Sequence, residues 1–195
     1  PSRHRSVTAR QTRNPTPFDT HHPYPNMSTH PLLNPIQLGA LTLPNRVLMA
    51  PLTRCRATRD HVPTPLMAEH YAQRATAGLL IAEATMIDER YSAFYTEPGI
   101  YGPAQIDGWR TVTDAVHARH GRIFLQIWHG GRASHPALNG GNQPVAPSAI
   151  PITNDQVHTP EGKLDYVTPR ALDDAELPGV VESFRQAAVN AKAAG

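Results

Sequence analysis

The sequence predicts an α/β fold built on a parallel β-sheet, and three observations predict it. Apolar residues form short continuous runs, over Val47–Ala50, Leu79–Ile87 and within Arg122–Gly131, instead of the alternation of a half-exposed strand. Continuous runs suit strands covered on both faces, as in a parallel sheet. Between the runs lie segments with apolar residues at helical spacing, each opened by a proline and closed by a glycine. The resulting order, β-α-β-α-β, requires right-handed crossovers.

Ahead of the first run, residues 34–47 read as a short hairpin. Ile36, Leu38, Leu41 and Leu43 are its apolar positions, and Gly39-Ala40 is the turn. In the first helix Thr64 is placed as the cap and Pro65 as the first helical residue. Met67, Tyr71 and Ala75 share one face, and Gly78 ends the element. A second helix opens at Gly102-Pro103, aligns Ile106, Trp109, Val112 or Thr113, and Val116 in a stripe, and closes at Gly121. From Arg132 to Leu172 the chain turns rich in Pro, Gly and Asn. A loop of about 40 residues is far longer than the usual ~4–6, so it should be functional or carry small elements of its own.

The last helix starts at Asp173, with Glu176 reaching back in a D-x-x-E capping box. Leu177, Val180, Val181, Phe184, Ala187, Ala188 and Ala191 then give it a wide apolar face. A fourth strand is what the pattern demands next.

Composition narrows the function classes. The chain has 195 residues, 39% apolar and 17% charged, and no run approaches the ~18 apolar residues of a membrane span. A single cysteine, Cys55, excludes an intrachain disulfide. Of the 18 basic and 16 acidic residues, four arginines and Asp19 fall in residues 1–30, leaving 14 and 15 in the remainder. The basicity therefore belongs to the first 30 residues and the body is nearly neutral, which argues against nucleic-acid binding.

Residues 1–30 hold few large apolar side chains and several prolines, and read as a disordered basic tail. They are arginine-rich and acid-poor like a transit peptide, yet prolines interrupt any amphipathic helix and there is no secretory apolar core. The expectation is that residues 1–26 lie upstream of the true start, with Met27 as initiator, and that residues 31–195 form one domain. A cytoplasmic location with no membrane contact is expected. The eleven histidines form no motif with zinc spacing, so no metal site is expected.

In a parallel barrel or doubly wound sheet, ligands sit at the carboxyl ends of the strands. The polar residues there are Thr53 after the first strand, Glu83-Ala84-Thr85 in the second, and Gln126 with Trp128 and His129 in the third. A hydroxyl, a small residue, an amide and an indole could border a flat pocket for a planar heterocycle. Equally, a threonine or glutamine inside a barrel can satisfy neighbouring backbone groups.

The segments PNRVLMAPLTRCRA, PTPLMAEHYAQRATAGLLIAEATMI, GRIFLQIWHGGR and TPRALDDAELPGVVESFRQAAVNAKAAG resemble the amino-terminal part of the Old Yellow Enzyme family. The likeness is closest to the bacterial N-ethylmaleimide, morphinone and nitrate-ester reductases, and runs from about Leu33 to Gly195. It implies a (β/α)8 TIM barrel, of which the hairpin and first three βα units are present. It also implies non-covalent FMN, NADPH or NADH as reductant, and small electrophilic substrates: α,β-unsaturated carbonyls, nitroalkenes or nitrate esters. The implied mechanism is hydride transfer from reduced FMN N5 to the β-carbon, with protonation at the α-carbon.

By the same resemblance, Pro51, Leu52 and Thr53 in APLTR correspond to the segment that meets the flavin, the threonine hydroxyl donating to the O4 edge and so tuning the potential. Ala84 in EAT corresponds to the small residue whose backbone lies against the ring. Gln126 in LQIWH corresponds to the glutamine that pairs with the pyrimidine edge, where both a donor and an acceptor are needed. Trp128 corresponds to an aromatic residue shaping substrate access, and Phe94, with Tyr95 beside it, stands where several relatives place a pocket tyrosine. A related group has cysteine in place of Thr53, and Cys55, two residues on, reads as an ordinary half-buried thiol.

The family's substrate-anchoring His/His or His/Asn pair, its proton-donating tyrosine and its phosphate-binding arginines are expected beyond Gly195, so no catalytic residue is assigned within this chain. A barrel of about 250 residues fits a reading of residues 31–195 as roughly its first half. The competing expectation is a non-catalytic polypeptide with open sheet edges and exposed apolar helix faces. Substrate and oligomeric state are not read from the sequence.

Overall fold

A computed structural model describes residues 30–195. The tail expected over residues 1–30, with Met27, lies outside the described residues except for His30.

The hairpin forms as expected. Strands β1 (Ile36–Leu38) and β2 (Leu41–Leu43) pair antiparallel, Ile36 opposite Leu43, and Gly39 makes the turn with φ +56°. The parallel sheet has the order β3 (Leu48–Met49), β4 (Leu79–Met86), β5 (Ile123–Trp128). Helices α1 (Pro65–Ala72) and α2 (Pro103–His117) make the two crossovers. The core lies between these helices and the sheet, where Tyr71, Trp109, Val112 and Val116 pack against Leu80 and Ala82. The Trp109 indole donates to the Gly99 carbonyl at 3.0 Å, satisfying its polar tip within this apolar layer.

Several local expectations need correction. The first strand was expected over Val47–Ala50 and buried on both faces. Only Leu48–Met49 is a strand, and Val47 and Leu48 are nearly half exposed, because β3 is the edge of this sheet. Thr64 stands at the α1 N-cap but makes no capping bond; its hydroxyl donates to the Arg56 carbonyl at 2.8 Å. Gly78 does not end a helix, since α1 stops at Ala72. Its role is close approach: a Cβ there would stand 2.1 Å from the Asn45 carbonyl oxygen. At the end of α2 the left-handed residue is His120, with φ +60°. Gly121 instead lets the chain pass between Ala75 and Val116, 2.8 Å from either side chain as a built Cβ would see them.

The long stretch after β5 does carry small elements. Strands β6 (Val145–Ala146) and β9 (Arg170–Ala171) pair parallel, and β7 (Gln156–Thr159) and β8 (Gly162–Asp165) form a hairpin between them. Ahead of α3 (Leu177–Ala193), Glu176 accepts the Asp173 N–H at 2.9 Å as the capping box requires. The same carboxylate is gripped at both oxygens by Arg170, at 2.7 Å each.

The apolar face of α3 is buried over only part of its expected width. Phe184, Ala187 and Ala191 meet the core, whereas Leu177 and Val181 are exposed. The amide of Asn190, on the buried side, holds the Ile100 carbonyl at 2.7 Å.

Candidate functional site

Three stretches meet beyond the carboxyl ends of β3, β4 and β5. The first is the segment after β3, residues 50–57, which has no regular structure and is tied down from two sides. The Arg54 N–H donates to the Glu83 carboxylate at 3.0 Å. The Ala57 N–H donates to the Thr96 carbonyl at 3.1 Å, and the Thr96 hydroxyl donates to the Cys55 carbonyl at 3.1 Å. Cys55 and Thr96 both adopt left-handed backbone, φ +53° and +61°, where these two loops lock together.

Glu83 is the pivot. The register between β4 and β5 shifts between Ala82 and Ala84, which makes Glu83 the extra residue of a β-bulge. The bulge turns the carboxylate toward α1, where the Tyr71 hydroxyl donates to it at 2.9 Å and accepts the Glu83 N–H at 2.9 Å. Both residues are fully buried. Burial pushes the pKa of each upward, for Glu83 against the pull of the Arg54 N–H and the Tyr71 hydroxyl.

Past the bulge, Ala84 stands directly opposite Gln126, and Met86 opposite Trp128. Directly paired residues project to the same face of a sheet, so the Ala84 methyl lies beside the Gln126 amide. Alternation along β5 places Phe124, Gln126 and Trp128 on this face and Ile123, Leu125 and Ile127 against the helices. The Arg54–Glu83 bond ties the segment that carries Thr53 to β4 at the bulge. The strand register thus places Ala84, Gln126 and Trp128 on one face near the carboxyl end of the sheet, and Thr53 lies on the segment that follows β3.

Of the other expected site residues, Pro51 is half-buried and Leu52 is 59% exposed on the same segment. Phe94 stacks on Trp128, ring centres 5.6 Å apart and planes 18° from parallel. Thr85 takes the bland role that a buried threonine can have: its hydroxyl donates to the Glu83 carbonyl at 2.9 Å. Gln126 does not, since its amide is exposed and bonds no other described residue.

His129 belongs to the loop framework. It stacks on Tyr91 at 3.6 Å, its Nδ1 accepts the Gly131 N–H at 2.8 Å, and burial lowers its pKa. The Cys55 thiol is half-buried, and burial, with Glu97 and Glu83 nearby, raises its pKa and keeps it protonated.

Glu83, Tyr71 and Glu97 carry the geometry, yet the sequence places Tyr71 only on the apolar face of the first helix and Glu83 only among the polar strand-end residues, and says nothing of Glu97. For Glu83 there was a signal: a lone carboxylate inside the apolar run LLIAEATM must find buried partners. Glu97, on a loop before Pro98, had none.

The residues present fit a flat heterocycle such as the isoalloxazine of FMN. On this face Ala84 is only a methyl, and the Gln126 amide opposite it is exposed and unpaired among the described residues. A groove of about 430 Å³ between the free edge of β5, α2 and α3 does not fit; its lining is hydrocarbon apart from Thr113 and Lys192.

Comparison with known proteins gives the family. Residues 31–195 match the NADH:flavin oxidoreductase / NADH oxidase family. A probable flavin mononucleotide-dependent alkene reductase of Leishmania infantum is 46% identical over 169 residues, covering 84% of this chain and 46% of that protein. The 12-oxophytodienoate reductase 7 of Oryza sativa subsp. japonica is 45% identical over 169 residues, covering 85% and 43%.

Among solved structures, the old yellow enzyme homologue from Zymomonas mobilis superposes with a TM-score of 0.81 at 49% identity, covering 84% of this chain and 46% of that one. Morphinone reductase in complex with tetrahydroNAD gives 0.80 at 50% identity, covering 84% and 47%. The chain therefore spans less than half the length of these relatives. With the sheet order, the bulge and the strand-end residues, these matches show that the chain belongs to the NADH:flavin oxidoreductase / NADH oxidase family, its residues 31–195 corresponding to the amino-terminal part of an Old Yellow Enzyme barrel.

Proposed function

We propose that this chain forms the flavin-cradling part of an FMN-dependent NAD(P)H oxidoreductase that reduces activated double bonds of α,β-unsaturated carbonyls and nitroalkenes, or nitrate esters. The observation that carries the reading is the register of Ala84 opposite Gln126, with the segment bearing Thr53 tied to the same strand through the Arg54–Glu83 bond. Bound FMN would supply two-electron hydride chemistry between a reduced nicotinamide and an electron-poor substrate.

The chain's own residues would bind and orient. Gln126 offers a donor and an acceptor to the pyrimidine edge, and the Thr53 hydroxyl donates to the same edge. Pro51 and Leu52 would lie against the ring, and the small Ala84 methyl would let it approach the β4 backbone. Trp128 and Phe94 would wall the substrate side. A cytoplasmic setting and a single domain over residues 31–195 complete this reading.

The test is FMN titration of the purified full-length polypeptide and of its Gln126→Ala and Thr53→Ala variants. Each variant should bind FMN about tenfold more weakly, the loss of roughly one hydrogen bond to a buried edge. Unchanged affinity in both would overturn the site. Reduction of 2-cyclohexenone with NADPH or NADH by the flavin-loaded protein tests the activity itself.

For the 195 residues in isolation a second reading has its own support. The free edge of β5 beside exposed Phe124 and Val189 is an apolar surface suited to association rather than turnover. A colourless product that associates in gel filtration is the expected result for the isolated chain.

A further inference from the structure

The loop after β4 holds a carboxyl group that the flavin reading leaves unused. Glu97 is completely buried. One of its oxygens accepts two backbone N–H groups, from Ala93 at 2.7 Å and from Phe94 at 3.1 Å. Its other oxygen makes no well-formed hydrogen bond among the described residues, nor do two buried donors, the Ser92 hydroxyl and the Trp128 indole N–H, although both lie close enough to favour the ionised carboxyl. Three unpaired polar atoms in one interior spot are costly, at about 1–3 kcal/mol each. They are also mutually complementary, because an ionised carboxylate accepts only and the other two groups can donate.

Phe94, whose backbone this carboxyl holds, is the residue stacked on Trp128. Glu97 therefore holds one member of the aromatic wall through its main chain and adjoins the indole edge of the other.

We propose that Glu97 is a positioning residue for the Phe94–Trp128 wall, holding the Trp128 indole when ionised and releasing it when protonated, and so setting access to the substrate side of the flavin face. The proposal rests on the flavin reading for its consequence but not for its geometry.

Burial pushes the Glu97 pKa up to about 7, against the pull of the two backbone donors, Ser92 and Trp128. The switch therefore falls near neutrality. Other groups face the cluster from each neighbouring element. Cys55 lies on the segment after β3, and Tyr101 precedes α2; burial raises both, Tyr101 to about 12. The His61 ring bonds the Glu97 main-chain carbonyl at 2.8 Å, not its carboxyl. His135 meets the Ser92 carbonyl through its N–H, and His129 adjoins Trp128 but is stacked on Tyr91.

The experiment is ¹⁹F NMR of the flavin-free full-length protein labelled with 5-fluorotryptophan, the Trp128 signal being the one absent from Trp128→Phe. It should move between about pH 5.5 and 8.5 with a midpoint near that of Glu97, and stay fixed in Glu97→Gln. The Trp109 signal, from an indole tied to Gly99, should remain constant and reports that the fold is kept.

A static Trp128 signal in the parent protein, or the same titration surviving in Glu97→Gln, overturns the proposal; the latter would point to His129. If Glu97→Gln fails to fold, Ser92→Ala serves instead. Removing a group that favours the ionised form should raise the midpoint, and an unmoved midpoint overturns the proposal.

In the flavin-loaded protein, Glu97→Gln should change KM for 2-cyclohexenone about threefold with FMN affinity unchanged; unchanged KM refutes the effect on access. Failure of the parent protein to bind FMN would overturn the flavin reading while leaving the Trp128 titration to stand or fall by itself.

Discussion

Tyr71 and Glu83 exchange two hydrogen bonds across the seam between α1 and β4: the phenol donates to the carboxylate and accepts the backbone N–H of the same glutamate, each at 2.9 Å. This exchange satisfies the N–H that the bulge takes out of the sheet ladder. It also leaves the second carboxylate oxygen free to hold Arg54, and with it the segment bearing Thr53.

Removing the hydroxyl alone tests that chain of support. Tyr71→Phe keeps the packing against Trp109 but strands a buried N–H and a buried carboxylate oxygen. The expected loss is about 2–4 kcal/mol in urea denaturation, with weaker FMN binding in the full-length protein because the Glu83 carboxylate that ties down the segment bearing Thr53 loses its support. A loss near zero would mean that the exchange does not form in solution.

Glycines 78 and 39 should respond to alanine for different reasons. At Gly78 the new Cβ meets the Asn45 carbonyl oxygen at 2.1 Å, and Asn45 and Val47 are both bound to this turn, so backbone must move. At Gly39 the space is open and only the left-handed φ of +56° is strained. Gly78→Ala should cost about 1–3 kcal/mol, the range for overpacking, and Gly39→Ala about 1 kcal/mol. Thermal unfolding of the pair should place Gly78→Ala lower; the reverse order would show that the turn yields more easily than its contacts imply.

Glu97 predicts how stability depends on pH. Its pKa is raised in the folded protein, from 4.5 to about 7. Below 4.5 the group is neutral in both states and its contribution is fully present. Between there and about 7 the unfolded chain ionises while the folded one keeps its proton, so stability falls as pH rises, by about 3 kcal/mol in all. Glu97→Gln should remove that part of the slope. Urea midpoints measured from pH 5 to 8 would show it as a flatter profile, and parallel profiles for the two proteins would refute the shift.

How much of this was legible in the sequence depended on where each constraint originates. Helix α2 was read closely, because the stripe through Trp109, Val112, Thr113 and Val116 is a local periodicity that burial obeys. The register of Gln126 against Ala84 was not legible, since it turns on a single extra residue in β4. Thr64 and Gly78 were both assigned to helix ends by residue type, and both serve contacts 8 and 33 residues away in the chain, to Arg56 and Asn45.

The sequence by itself determined the α/β order, the parallel sheet and the family, because apolar periodicity and motif order are properties of the chain taken locally. Only the tertiary structure decided that Glu83 leaves the sheet for Tyr71, that Ala84 and Gln126 share a face, and that the buried Glu97 carboxyl holds the backbone of Phe94, the residue stacked on Trp128. A buried carboxylate must be met by donors from other elements. Which donors reach it is set by how the strands and loops pack, and no local pattern carries that information.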